Sequence, residues 1–174
     1  MATHRLSILG PTTQPDATGL TFMGNIFVEV ATIHGSGLVN NMVMTMKDSA
    51  ADTGFYGTFQ VPQNYVGTPV IHVTGVLDGT IGTTIISFQI DYLPVADNET
   101  VDAGWGQQLI FNTADLDSGT AYTTEDLLTL TSGAMTSTLV VGDEVFYYFK
   151  RDVTADTFVG DFHLTGLYFQ YSDA

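Results

Sequence analysis

The end of the chain decides the fold, beginning with the stretch Gly142-Asp-Glu-Val-Phe-Tyr-Tyr-Phe-Lys-Arg-Asp152. A Gly-Asp pair typical of a tight turn precedes a run of aromatic residues and valine, which favours an extended strand. A polar link, Asp156-Thr-Phe-Val-Gly-Asp161, then leads to a second aromatic run, His163-Leu-Thr-Gly-Leu-Tyr-Phe-Gln-Tyr171. We therefore expect two strands that close the chain as a hairpin.

Arg151 is the most informative residue of this stretch. The chain contains only 4 lysines and arginines together, against 19 aspartates and glutamates. A guanidinium next to an apolar strand needs hydrogen-bonding partners if it is buried. Asp156 and Asp161 lie across the link from it, so we expect a structural ion pair from Arg151 to one of them that pins the closing hairpin.

The composition favours strands over helices. The chain has 174 residues and 18 glycines, and threonine is frequent, which suits one domain of strands joined by tight turns. Helix surfaces usually carry Lys, Glu and Ala, and Lys and Glu are scarce here. There is no cysteine, so disulfides, thiolate metal sites and cysteine nucleophiles are excluded.

The charge distribution excludes several classes of partner. The formal net charge is −15, so the chain lacks the basic surface that binding to nucleic acid or to an anionic membrane requires. The acidic residues are scattered beside Gly, Thr and Ser, as expected for turns on a solvated surface. No apolar run approaches the roughly 20 residues of a membrane helix, and the start of the chain lacks a secretory signal pattern.

Alternating runs separated by turns predict about eight or nine short strands and no amphipathic helix. Asp78-Gly79 predicts a hairpin between the runs 69–76 and 83–92, because Asp-Gly tolerates the backbone of a tight turn. Residues 123–128 fit a single short helical turn, and a strand over residues 126–130 fits about as well. The whole pattern indicates an all-β fold, an antiparallel β-sandwich, with a jelly roll favoured over an immunoglobulin topology.

The first 19 residues differ in pattern from the rest of the chain, which predicts a boundary between an arm and a domain. Residues 1–19 contain Pro11 and Pro15 and little alternation, so we expect an extended N-terminal arm. Such a terminus is ordered only when something holds it, either a neighbouring chain or the protein's own sheet. Residues 20–174 are predicted to form a single β-sandwich domain.

No catalytic residue, metal ligand or cofactor is predicted. The histidines lie far apart, without the spacing of a metal site, and nothing brings two glutamates together as a glycosidase pair. Asp115-x-Asp-x-Gly119 resembles a fragment of a calcium loop but lacks the glycine at the sixth place and the terminal bidentate acid. A plain turn is therefore favoured there, and calcium between other acidic loops stays open. The four histidines are His4, His34, His72 and His163.

Trp105 is the single tryptophan, and the chain also has eight tyrosines. Aromatic residues on an outer strand face can form a platform for stacking sugars, whereas at inward positions they fill the core or a subunit interface. Tyr147 and Tyr148 are adjacent, so their side chains point to opposite faces of a strand. Both interpretations of the aromatic residues remain open from the sequence.

The pattern from Gly142-Asp143 through Lys150-Arg151-Asp152 to Gly166-Leu-Tyr-Phe-Gln-Tyr171 resembles the closing segment of small β-sandwich virion proteins of tailed bacteriophages. Val61-Pro62-Gln63-Asn64-Tyr65, before a strand pair ending at Ile90-Asp91-Tyr92, is similar too. The resemblance covers roughly residues 55–171. It is carried by packing residues and contains no catalytic motif.

This resemblance implies a non-enzymatic structural protein that decorates or cements the outer surface of a phage capsid. The expected partners are the major capsid protein and copies of the chain itself, in a homotrimer, with neither nucleic acid nor membrane bound. The alternative is a carbohydrate-binding or receptor-binding fibre module, with sugars stacking on Trp105. The candidate interface residues are Leu6, Ile8, Leu9, Tyr147 and Tyr168.

Overall fold

The computed structural model describes residues 2–9, 14–15, 17–18, 21–22, 26–32, 40–48, 52–80, 84–97, 99, 104–112, 127–136 and 139–173. These residues form thirteen strands and no helix, so none of them lies in a helix that could cross a membrane. The strands are β1 (Thr3–Ser7), β2 (Gln14–Pro15), β3 (Ala17–Thr18), β4 (Thr21–Phe22), β5 (Ile26–Thr32), β6 (Asn40–Met46), β7 (Thr53–Gln60), β8 (Tyr65–Thr80), β9 (Ser87–Val95), β10 (Gln107–Asn112), β11 (Leu127–Thr131), β12 (Glu144–Arg151) and β13 (Val159–Asp173).

Two antiparallel sheets form a β-sandwich, as the alternating sequence predicts. The six-stranded sheet has the order β11-β8-β13-β6-β5, with β1 also paired to β13, and the five-stranded sheet has the order β10-β9-β12-β7-β2. From β7 to β9 the chain passes from the five-stranded sheet to the six-stranded sheet and back. This alternation between sheets is typical of a jelly roll.

The inward faces of the two sheets supply one core. In β12 the buried residues alternate with half-buried ones, as a strand with one face in the core requires. Phe88 of the five-stranded sheet contacts Phe162 of the six-stranded sheet, with 4.9 Å between ring centroids. Phe59 and Phe169 make the same kind of contact at 4.8 Å. Aromatic side chains therefore join the two sheets across the core.

Both predicted hairpins are wrong in their pairing. Asp78 and Gly79 lie inside the 16-residue strand β8, opposite Asp161 and Gly160 of β13. Leu77 and its partner Phe162 are fully buried, and this buried ladder outweighs the local preference of Asp-Gly for a turn. The chain therefore continues as a strand there instead of turning.

The closing strands β12 and β13 belong to different sheets and do not form a hairpin. Strand β12 pairs with β7 and β9, whereas β13 pairs with β8, β6 and β1. Each is a central strand whose inward residues are buried. Facing each other across the core buries more apolar surface than pairing at an edge would. The link at residues 152–158 therefore crosses from one sheet to the other.

The described part of the predicted arm belongs to the sandwich. Strand β1 pairs with β13 from Thr3↔Ser172 to Ser7↔Tyr168, and β2 pairs with β7. Ile8 is 3% exposed, and its carbonyl accepts a 2.7 Å hydrogen bond from the hydroxyl of Tyr147. Of the two supports considered for this terminus, the protein's own sheet is the one observed.

Arg151 is buried, and all five of its N–H groups are used. Its Nε and Nη2 donate to the two carboxylate oxygens of Asp156, at 2.6 and 3.2 Å. Its other bonds go to the carbonyls of Met46, Phe158 and Gly160. A guanidinium has five donors in total, so the charge is fully satisfied. The ion pair fixes the crossing link to the ends of both sheets.

Asp161, the other predicted partner of Arg151, pairs elsewhere. It accepts a 2.7 Å bond from Lys47, the residue that follows β6. Asp161 lies in the ladder of β13 opposite Asp78, and its second carboxylate oxygen accepts from the backbone N–H of Asp48. Its neighbour Gly160 reaches Arg151 through its carbonyl, whereas the Asp161 side chain bonds these other partners.

Candidate functional site

An aromatic cluster lies on the outer face of the five-stranded sheet. It consists of Tyr56 of β7, Tyr148 of β12, and Trp105, which precedes β10. Tyr148 is directly opposite Tyr56 in the ladder, and their ring centroids are 4.6 Å apart with planes at 27°. The Trp105 ring is 6.1 Å from that of Tyr56 with planes at 10°, and 6.5 Å from that of Tyr148. The three rings are stacked.

The local sequence explains how the cluster forms. Adjacent residues of β12 point to opposite faces, so Tyr147 is buried in the core and Tyr148 lies outside. The Tyr148 ring rests on the backbone of β7 at Gly54, where an added Cβ would come within 2.7 Å of the ring. A side chain at position 54 would therefore push Tyr148 out of its stack.

The cluster is open to solvent. Trp105 is 46% exposed and Tyr56 is 39% exposed, and Tyr148 is half-buried. Large aromatic residues that are both ordered by stacking and exposed provide a flat apolar surface with polar edges. Such a surface suits a ligand with an apolar face, such as a sugar ring.

A polar trio lies beside the aromatic cluster on the same face. Its members are Gln89 and Asp91 of β9 and Gln108 of β10. The amide nitrogen of Gln89 lies 2.9 Å from each carboxylate oxygen of Asp91. The amide nitrogen of Gln108 donates to one of these oxygens at 3.1 Å. The carboxylate therefore holds both glutamine side chains in place.

The trio and the cluster form a continuous row across four strands. The ladder register sets Gln108 opposite Asp91, Asp91 opposite Tyr148, and Tyr148 opposite Tyr56. Neighbouring strands are about 4.8 Å apart, so the row is about 14 Å long. Lys150, the next outward residue of β12, is engaged in an ion pair with Asp52 at 2.5 Å. We call the four residues Gln108, Asp91, Tyr148 and Tyr56 the Gln108–Tyr56 row.

The described histidines lie apart from this row and from one another. His4 bonds Asp173, and His163 bonds Thr45 and lies 3.3 Å from Asp78. His72 bonds Thr131. Burial lowers the pKa of His72, and the positive charge of Arg5 lowers it further. Within the described ranges no three His, Cys, Asp or Glu residues could hold a metal ion.

Two candidates from the sequence lie where the structure gives no description. His34 and the turn Asp115-x-Asp-x-Gly119 fall outside the described residues.

The candidate interface residues are distributed over the sandwich. Ile8 is buried in the core, and Leu6 and Leu9 are partly buried against it. Tyr147 is wrong as an interface residue, because it is fully buried and its hydroxyl bonds the chain's own backbone. Tyr168 is half-buried on the outer face of the six-stranded sheet, between the buried Leu167 and Phe169.

The sequence pointed to Trp105 but not to the Gln108–Tyr56 row beside it. Asp91 carried a usable signal, because it is a charged residue within the run Ser87–Val95, which is otherwise free of charge. Tyr148 carried a second signal, because two adjacent tyrosines in a strand point to opposite faces and one of them must lie outside. Gln89 carried a weaker signal, because it lies two residues before Asp91 in the same strand and so on the same face. Gln108 carried none, because only the ladder register brings it to Asp91.

No protein family model and no curated protein matches the chain. Solved structures do match. One is described as "xylan-binding module CBM15", with a TM-score of 0.54 and 12% sequence identity over 99% of this chain and 97% of that chain. At this identity the likeness shows the fold, a β-sandwich spanning nearly the full length of both chains.

Proposed function

We propose that the protein is a carbohydrate-binding module that holds a polysaccharide chain on the outer face of its five-stranded sheet. The observation that carries the proposal is the stacked and exposed aromatic cluster of Tyr56, Trp105 and Tyr148. Sugar rings pack their C–H faces on such rings while their hydroxyl groups bond polar side chains at the edge. Binding, and no chemical step, is the activity assigned.

Two further observations support the proposal. The polar trio adjoins the cluster, so apolar and hydrogen-bonding groups occur side by side on the face. The fold matches that of a protein described as a xylan-binding module over nearly its whole length. The Gln108–Tyr56 row is longer than one sugar ring, which favours a chain of sugars over a single one.

The test is binding to neutral and acidic polysaccharides, with xylan, cellulose, mannan, polygalacturonate and alginate as probes. We expect the protein to be retained by at least one of them, and its oligosaccharides to bind more tightly than the single sugar. Trp105→Ala should reduce the affinity about tenfold or more, because it removes the most exposed ring of the cluster.

The matched control is Tyr168→Ala, which removes an aromatic ring from the outer face of the opposite sheet. It should leave polysaccharide binding unchanged. The proposal fails if the protein binds none of the probes, or if Trp105→Ala and Tyr168→Ala have equal effects.

The alternative derived from the sequence, a carbohydrate- or receptor-binding module, is thus the interpretation we favour. Capsid decoration, with a capsid protein and a homotrimer as partners, stays a prediction that rests on the sequence resemblance. Measuring whether the purified protein sediments with phage capsids would test it directly.

A further inference from the structure

We infer that the face selects neutral, hydroxyl-rich polysaccharides and rejects chains that carry carboxylates, because its polar groups are oriented as acceptors around Asp91. This inference rests on the proposed function and assigns its ligand class. It starts from the geometry of the polar trio, Gln89, Asp91 and Gln108.

The orientation of both glutamine side chains follows from hydrogen-bond chemistry. An ionised carboxylate only accepts hydrogen bonds. The amide nitrogens of Gln89 and Gln108 must therefore face Asp91, as the distances of 2.9 and 3.1 Å show. Their carbonyl oxygens then point away from Asp91, and among the described residues neither oxygen has a hydrogen-bond partner.

These atoms present a ligand with acceptors and a negative charge. Gln108 is exposed and Asp91 is half-buried, so hydroxyl groups can donate to the amide carbonyl of Gln108 and to the remaining capacity of Asp91. Gln89 is only 8% exposed and helps to hold the carboxylate in place. A uronic acid brings a carboxylate, which donates nothing and is repelled. Lys150, the nearest described cation on this face, is already bound to Asp52, and the chain as a whole carries a formal charge of −15.

The experiment compares soluble oligosaccharides of xylan, cellulose and mannan with those of polygalacturonate and alginate by calorimetry. In about 0.01 M salt we expect the acidic oligosaccharides to bind at least about tenfold more weakly than the best neutral one. A tenfold loss of affinity is at the low end of the repulsion between two like charges at a protein surface. In about 1 M salt, where the Debye length falls from about 30 Å to about 3 Å, the difference should shrink.

Asp91→Asn tests the positioning role of the carboxylate. The variant loses the negative charge and allows the side-chain amides of Gln89 and Gln108 to rotate. The affinity for neutral oligosaccharides should therefore fall, and the ratio of neutral to acidic affinity should drop severalfold. Glu144→Gln is the matched control. It removes one negative charge from the same face of β12, four residues before Tyr148, without touching the trio, and should leave the ratio within about twofold of its original value.

The outcomes separate the inference from the function on which it rests. Equal binding of acidic and neutral oligosaccharides, with Trp105→Ala weakening both, overturns the selectivity and leaves carbohydrate binding intact. An equal change of the ratio in Asp91→Asn and Glu144→Gln overturns the role of the trio. No binding of any oligosaccharide overturns both the function and the inference.

Discussion

Arg151→Met should be among the most destabilising single substitutions in the sandwich. The side chain is 1% exposed and that of Asp156 is 4% exposed. Methionine keeps much of the apolar stem but removes the charge and all five donors. Asp156 then loses its counter-ion and, among the described residues, keeps only backbone N–H donors, those of Phe158 and Ser87. The carbonyls of Met46, Phe158 and Gly160 lose the guanidinium donors that they now have.

The magnitude follows from this burial. Removing one partner of a buried ion pair costs about 3–5 kcal/mol, because the remaining charge is uncompensated. Natural domains are stable by only about 5–15 kcal/mol. At about 2–4 °C of Tm per kcal/mol for a chain of this size, the expected fall in Tm is about 6–20 °C. The stability of Arg151→Lys should lie between that of the original protein and that of Arg151→Met, because an ammonium has three donors and cannot reach both carboxylate oxygens in parallel.

The assay is denaturant unfolding followed by circular dichroism, with Lys47→Met as the matched control. The Lys47–Asp161 pair has a similar distance, 2.7 Å, but its side chains are 33% and 23% exposed. A solvent-screened pair of this kind contributes about 0–1 kcal/mol. Equal losses for Arg151→Met and Lys47→Met would refute the argument, since burial would then not decide the cost.

Two further predictions concern the core and the N-terminal strand. An added Cβ at Gly57 would lie 2.2 Å from the Tyr147 hydroxyl, so Gly57→Ala should cost about 1–3 kcal/mol in the free energy of unfolding. Gly133→Ala, with open space around it, should cost far less, and equal costs would contradict the packing argument. The hydrogen bond from His4 lowers the pKa of Asp173 below 3.8. The stability that this hydrogen bond contributes is present above about pH 4 and is lost as the pH falls through the folded-state pKa of Asp173. The protection of the β1 amides from hydrogen exchange, relative to their intrinsic exchange rates at each pH, should therefore fall in acid. Asp173→Asn should remove most of that pH dependence, and the same loss of protection in the variant would contradict the role of Asp173.

The strands themselves could be predicted closely where one face is buried. The aromatic run predicted as a strand within Gly142–Asp152 corresponds to β12, Glu144–Arg151, because valine and aromatic residues favour an extended chain. The strand considered at residues 126–130 is observed as β11, Leu127–Thr131, and residues 123–126 lie outside the described residues. Local pattern alone was sufficient for β12, whereas at β11 it left a strand and a helical turn open.

Strand partners could not be predicted in the same way. Asp78-Gly79 has the local chemistry of a hairpin turn, yet β8 continues through it because β13 lies alongside for its whole length. The partner of a strand is set by contacts between residues far apart in the chain, which no local pattern encodes. The Arg151–Asp156 pair was accessible because both residues lie five positions apart, whereas the polar trio joins two different strands.

Strand β12 shows why stability and binding can be tested separately in this protein. Its inward residues include Tyr147, Phe149 and Arg151, which join the core and the buried ion pair, and its outward residues include Tyr148, the centre of the Gln108–Tyr56 row. Substitutions that remove exposed rings should therefore reduce binding with little change in stability. Arg151→Met should do the reverse under conditions where it stays folded, because it leaves the outer face in place. A variant of Arg151 that is folded yet unable to bind polysaccharide would show that the two faces are coupled through the strand.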